Sequence, residues 1–160
     1  MKLTIVAVGN RMPAWVSAGY EEYARRMPPD ARVSLVEVKP EPRSSKPPAE
    51  TQVRAMMESE ARRIEQAIPA GAERVVLDER GRNCTTRDLA TRIERWRMDG
   101  RDAAFVIGGA DGTAESLRKS ADWQWSLSGL TLPHPLVRIL LIEQLYRAMS
   151  IIGGHPYHRD

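Results

Sequence analysis

Short runs of β-branched and aliphatic residues, each followed by a stretch with helical apolar spacing, recur along the chain and restrict what it can fold into more than any other feature. Residues 2–8, Lys-Leu-Thr-Ile-Val-Ala-Val, form the first run and stop at Gly9 and Asn10. They predict a buried opening strand. Between Pro13 and Arg26, Trp15, Val16, Ala18, Tyr20, Tyr23 and Ala24 recur at near-helical spacing, and Met27-Pro28-Pro29-Asp30 ends the pattern. Residues 31–38 alternate with period two, as a strand with one wetter face does. Residues 74–77, 102–107 and 123–127 predict three further strands, with a polar loop over 78–83 after the first of them. Helices are expected over 49–68, from a cap at Thr86 to a stop at Gly100, over 113–119 and over 135–152. Strands separated by helices imply an α/β fold with a parallel sheet and helices on both faces. At 160 residues, with no internal repeat and no boundary, residues 1–160 read as a single domain.

Composition narrows the functional classes. Lys and Arg outnumber Asp and Glu by 24 to 21, which permits a polyanionic partner without requiring one. The single cysteine, Cys84, excludes an intramolecular disulfide and a Cys-rich metal site, and fits the reducing cytoplasm. The first apolar run is too short for a signal-peptide core. The apolar tract over 136–152 is broken by Arg138, Glu143, Gln144 and Arg147, so it reads as a buried helix and no membrane span is expected. Residues 39–48 carry Pro40, Pro42, Pro47 and Pro48 and no large apolar side chain, and they are expected to be a mobile, partly basic loop.

Ligands of parallel α/β sheets collect beyond the carboxyl ends of the strands. Three such ends stand out: the loop after Leu77, the glycine loop Gly108-Gly-Ala-Asp-Gly112, and the segment 128–133. The glycine loop has neither dinucleotide nor phosphate-loop spacing, so a tight turn and a ligand contact are equally open. Segment 128–133 leads into Pro133-His134-Pro135, whose prolines deny the backbone a regular ladder; it can wrap a small ligand or be a strained connection.

All three histidines, His134, His155 and His158, lie near the C-terminus with Arg147, Tyr157 and Arg159. Their spacing does not suit zinc, and no metal is expected. The His-Tyr-Arg tail is suited to stacking on a base and gripping phosphate, while its composition alone favours a frayed end. The helix over 135–152 is apolar nearly all round, so a partner subunit is expected to cover it. Glu143 and Arg147, four apart, are either a helix pair or a means of reaching the other subunit's ligand.

Lys2-Leu-x-x-Val-Ala-Val-Gly9, Trp96-x-x-Asp-Gly-Arg-Asp102, Ile107-Gly-Gly109, Trp125-Ser-Leu-Ser128, Leu130-Thr-Leu-Pro-His-Pro-Leu-Val-Arg138, Glu143-x-Leu-Tyr-Arg147 and His155-Pro-Tyr-His-Arg159 run from end to end of the chain. Together they resemble the large-subunit ribosomal RNA methyltransferase H family of the SPOUT class. The resemblance implies S-adenosylmethionine as methyl donor, N3 of a pseudouridine in 23S rRNA as target, a C-terminal trefoil knot and a homodimer. It implies a donor site of Leu77, Gly109, Ser128, Gly129, Leu130, Thr131, Leu132 and Pro133, with His134, Arg147, His155, Tyr157 and Arg159 on the substrate side. The rival reading is a non-catalytic dimeric RNA- or ribosome-binding module, which donor binding would separate from an enzyme.

Overall fold

The computed structural model describes residues 1–159. Five strands, β1 (Leu3–Val8), β2 (Val33–Val38), β3 (Glu73–Arg82), β4 (Ala103–Ile107) and β5 (Trp123–Trp125), form one sheet. Their order is β2-β1-β4-β3-β5 and every neighbouring pair is parallel. Five helices connect them: α1 (Ala14–Ala24), α2 (Glu50–Ala67), α3 (Thr86–Met98), α4 (Glu115–Lys119) and α5 (His134–Ile152). The α/β reading and its parallel sheet hold.

Period-two geometry sends alternate side chains to opposite faces, so each central strand feeds two cores. Leu3, Ile5, Ala7, Phe105 and Ile107 pack on one face with residues of α1, α3 and α5. Val6, Val8, Val76 and Val106 pack on the other with Ala61 and Ile64 of α2 and Leu117 of α4. Helix α5 lies against α1 and α3. Only part of α5 is sealed: Leu141, Ile142, Leu145 and Ala148 are fully buried, whereas Leu140 on α5 and Trp15 on α1 are 36% and 59% exposed. Among the described residues no helix is long and apolar enough to cross a membrane.

Strand β2 begins at Val33 rather than Ala31 and α4 at Glu115 rather than Thr113, and three further boundaries differ from the sequence expectation, each for a local reason. The α3 cap is Thr85, not Thr86: its Oγ1 accepts from the Asp88 N–H at 3.1 Å while Asp88 Oδ2 accepts the Thr85 N–H at 2.9 Å, a reciprocal box. Residues 78–82, expected as loop, extend β3 because a bulge lets both Leu77 and Arg82 pair with Trp125. Gly81 makes that possible, since a Cβ there would stand 2.7 Å from the Gln124 backbone of β5. Strand β5 ends at Trp125, and the chain beyond it is fastened by the Ser126 N–H to the Arg82 carbonyl at 3.1 Å and by Asn83 Nδ2 to the Ser126 carbonyl at 3.0 Å.

Residues 39–48 have no regular structure but are tied at several points. The Glu41 N–H reaches Glu60 Oε2 at 3.0 Å, Arg63 holds the Lys39 carbonyl at 2.8 Å and pairs with Glu41, and Arg43 pairs with Asp111.

Candidate functional site

A parallel sheet brings the carboxyl ends of all its strands to one edge, and the ends of β3, β4 and β5 enclose a cavity of about 630 Å³ there. That is within the range for small-molecule sites, roughly 300–1,000 Å³. Leu77, Gly109, Ser128, Leu130, Thr131, Leu132 and Pro133 line it, so seven of the eight donor residues expected from sequence come together. Gly129, between Ser128 and Leu130, is exposed and does not line it.

The walls mix apolar and acidic character. Leu77, Ile107, Trp125, Leu127, Leu132 and Val137 supply apolar surface, and Asp78, Glu79 and Asp111 supply carboxylates. Burial alone would raise the Asp78 carboxyl, but hydrogen bonds from Arg80 and the nearby charge of Arg118 more than offset it, holding it below the usual carboxylate range. Arg80 grips Asp78 bidentately at 2.9 and 3.1 Å. With Asp78 paired to Arg80 and Asp111 to Arg43, the polar part of the wall left open is Glu79 beside an apolar surface, which suits a ligand with a polar end and an apolar body.

The strand-end segments are braced from within. Ser126 Oγ donates to the Ser128 carbonyl at 2.8 Å, the Leu130 N–H donates to Ser128 Oγ at 3.0 Å, and Thr131 Oγ1 donates to Glu79 at 2.9 Å. In the glycine loop the Gly112 N–H closes on the Gly109 carbonyl at 2.9 Å, with Gly112 at φ +88°. The loop is therefore both a tight turn and a cavity wall. A Cβ on Gly109 would meet Glu60 Oε1 and Val8 Cγ1, each at 3.1 Å, so a larger side chain there presses on the α2 core as well as on the cavity.

Of the substrate-side candidates, only His134 lines this cavity. It opens α5, its Nδ1 is buried without a hydrogen-bond partner, and burial pulls the imidazole below its ordinary value, with the charges of Arg138 and Arg43 adding to the effect. The imidazole is therefore neutral at pH 7. Arg147, His155, Tyr157 and Arg159 lie at or beyond the far half of α5. At ~1.5 Å per residue, His134 and the last turn of α5 are about 27 Å apart.

The tail is not a frayed end. The Tyr157 hydroxyl donates to Glu143 Oε1 at 3.1 Å, its ring centroid lies 4.7 Å from that of Tyr146, and the Arg147 guanidinium sits 4.6 Å from its centre. The His155 N–H caps the Ser150 carbonyl at 2.8 Å. Burial, followed by the Glu143 carboxylate, pushes the Tyr157 hydroxyl up to about 12. Glu143 and Arg147, joined at 2.6 Å, are thus the anchor of the tail rather than an isolated helix pair.

Sequence reasoning missed two buried charges. Arg138, 2% exposed, joins α5 to Glu37 and to the Gly9 carbonyl; it had registered only as a break in an apolar tract. Glu60, 3% exposed, stands behind the glycine loop with its carboxyl raised by burial. A charge recurring on the apolar stripe of an amphipathic helix was the available signal. Among the described residues no group of three or more His, Cys, Asp or Glu is placed to hold a metal ion.

Residues 1–158 match the family described as "Predicted SPOUT methyltransferase". The chain is 56% identical, over 160 residues and 99% of both chains, to a Bordetella petrii protein named "Ribosomal RNA large subunit methyltransferase H". Among solved structures it resembles a probable methyltransferase from Bordetella pertussis, with TM-score 0.60 and 15% identity over 92% of this chain and 93% of that one. It also resembles, with TM-score 0.50 and 9% identity over 93% and 66% of the two chains, a Legionella pneumophila protein described as a methyltransferase and solved with the cofactor SAM bound.

Proposed function

Because the chain belongs to the SPOUT methyltransferase family, we propose that it moves the methyl group of S-adenosylmethionine to N3 of a pseudouridine in 23S ribosomal RNA, acting as a cytoplasmic homodimer. The observation that carries this reading is the cavity at the ends of β3, β4 and β5, lined by seven of the eight donor residues, with His134 at its edge. Relatives more than half identical over nearly the whole chain are named for large-subunit rRNA methylation, and the Legionella neighbour holds SAM.

The residues fit that donor. Glu79, whose partner is the Thr131 hydroxyl, is the carboxylate left to complement a cation, and the apolar walls accept a ring. When bound, the donor supplies an electrophilic methyl carbon on a sulfonium. The protein's own work is to hold that carbon in line with N3 of the target, keep water out and remove one proton, because the imide N–H must be lost as the N–C bond forms and the C–S bond breaks. Neutral His134 is an acceptor for that proton within the cavity. The cationic groups Arg147 and Arg159 suit stabilisation of the anion on the base's carbonyl oxygens, and Tyr157 with His155 suits orientation of the ring.

Within a single protomer Arg147 stands about 20 Å along α5 from His134, and Tyr157 folds back onto Glu143, about 14 Å along it. A second copy resolves the separation by seating its tail against the first copy's cavity, and the exposed Leu140 and Trp15 beside α5 offer it an apolar seat. The same family reading carries a trefoil knot near the C-terminus.

The test is mass spectrometry of 23S rRNA from a strain lacking the gene, with calorimetry of S-adenosylmethionine binding to the purified protein. Loss of one methyl from a pseudouridine, restored by the gene, is expected. Absence of donor binding at millimolar ligand would leave only a non-catalytic RNA-binding role.

A further inference from the structure

The segment 39–48 is the one feature singled out in the sequence that the donor site and tail leave unused. We propose that it is a preordered strap that binds the sugar-phosphate backbone of the RNA strand next to the nucleotide entering the donor cavity. This inference rests on the rRNA reading above and adds to it a contact surface distinct from the tail.

Its position comes from topology. The segment leaves the carboxyl end of β2, which pairs with β1, so it shares the sheet edge with the donor cavity. It encloses with the start of α2 a second, shallower cavity of about 610 Å³, lined by residues 42–48 with Gln52, Ala55 and Met56. Arg43 lines this second cavity and pairs with Asp111, which lines the first. The Arg43–Asp111 pair is thus the wall the two cavities share. A strand that brings its target base to the mouth of the donor cavity therefore runs beside the second across this shared wall.

The charge balance points to phosphate. The acidic groups of the region are already spoken for: Glu41 is paired with Arg63, Glu50 with Arg54, and Asp111 with Arg43, while buried Glu60 accepts the Glu41 N–H. Lys39 and Lys46 are exposed and have no ion-pair partner among the described residues. The strap therefore presents uncompensated positive charge at the cavity mouth. Prolines at 40, 42, 47 and 48, the ties to Glu60 and Arg63, and the Ser44 hydroxyl closing on the Lys46 carbonyl at 3.0 Å fix its shape before RNA arrives. Little ordering entropy then remains to be lost on binding.

The experiment is Lys39→Gln with Lys46→Gln in the full chain, since neither side chain holds the fold. RNA affinity is read by fluorescence anisotropy on an unmodified 23S rRNA transcript and on purified large ribosomal subunits, across a salt series, with donor affinity read by calorimetry. Removing two phosphate contacts should lower the slope of log K against log salt by about 1.4, which extrapolates from 1 M to on the order of twentyfold weaker binding at 0.1 M salt. Donor affinity and oligomeric mass should be unchanged. A parental slope in the double variant would overturn the strap while leaving the methyltransferase reading standing. A changed donor affinity would assign the segment to the donor site, and a changed mass in light scattering would make it an interface between copies; either overturns the proposal. A parental protein that binds neither RNA probe would remove the rRNA reading and the strap with it.

Discussion

Arg138 donates from Nη2 to the carbonyl oxygen of Gly9 at 2.7 Å, joining the first turns of α5 to the carboxyl end of β1 across 129 residues of chain. Its Nη1 meets Glu37 of β2 at 2.7 Å, so one guanidinium ties two strand ends to the helix that opens with His134. Of this network, only the first turn of α5 reaches the cavity, through His134 and Val137.

Arg138→Met should destabilise the protein by about 1–3 kcal/mol, because the change leaves the Gly9 carbonyl, and the Val8 carbonyl behind it, without their buried donor. Denaturant unfolding monitored by tryptophan fluorescence measures it. Arg138→Lys keeps the charge but loses the fork that reaches β1 and β2 together, so it should recover only part of the loss. A change in the methionine variant below about 1 kcal/mol would show that the network bears little weight.

His134 titrates below its ordinary 6.5 in the folded protein, through burial first and then the charges of Arg138 and Arg43. The sign follows from proton counting. Between the ordinary value and the lowered folded one, the unfolded chain binds a proton that the folded chain does not, so stability is fully present above 6.5 and declines as pH falls through that window. His134→Gln should remove this component of the acid loss. NMR titration of the His134 ring should give a midpoint under 6.5, and methyl transfer should lose rate on acidification with that same midpoint. A ring that titrates at or above 6.5 would exclude the buried, neutral imidazole.

Much of this architecture was legible because helix and strand periodicities are imposed by burial, and burial is written in apolar spacing. Where the spacing is strong, as in Ile5, Val6, Val8, Phe105 and Val106, the strands are where the sequence put them. The failures have other causes. Residues 78–82 look like a loop because Asp78, Glu79 and Arg80 are polar, yet pairing with β5 through a glycine bulge holds them in the strand. The tail looks frayed because its anchoring is one hydroxyl, two rings and a guanidinium gathered from Glu143, Tyr146 and Arg147, a contact no linear pattern announces. The lining of the cavity was legible as strand ends; the place of the tail on α5 was not, since only the packing of Tyr157 on Glu143, Tyr146 and Arg147 reveals it.

The α3 cap gives a small, clean stability test. Thr85→Ala removes the acceptor for the Asp88 N–H and leaves Asp88 without its hydroxyl donor at 2.7 Å. A loss of about 1 kcal/mol is expected in denaturant unfolding. Thr86→Ala, at the position that sequence spacing favoured as the cap, also breaks the 2.8 Å bond from its hydroxyl to Gln144 of α5, so its cost reports helix packing instead. Equal donor affinity in both variants would confirm that α3 supports the fold without touching the cavity.

The tail gives the test that separates folding from chemistry. Deleting residues 155–159 removes the Tyr157 ring from Tyr146 and the hydroxyl from Glu143, contacts that lie on the outer half of α5 and not in the core. Stability should fall by no more than about 1–2 kcal/mol, the scale of one hydrogen bond and one ring pair. Donor binding should be unchanged, since no tail residue lines the cavity of its own protomer. Methyl transfer should be abolished, because Tyr157 and Arg159 then cannot reach a partner's cavity. Tyr157→Phe divides the roles further: it keeps the ring over Tyr146 and Arg147 and loses only the hydroxyl, so it should retain most of the stability and show whether the Glu143 bond aligns the tail for transfer. Mixing tail-deleted subunits with His134→Gln subunits completes the argument. If each cavity is served by the partner's tail, a heterodimer contains one site with both lesions and one with neither, so a heterodimer should recover about half the parental activity and an equal, randomly exchanged mixture about a quarter. A mixture that stays inactive would place tail and cavity function within one subunit and overturn the shared site.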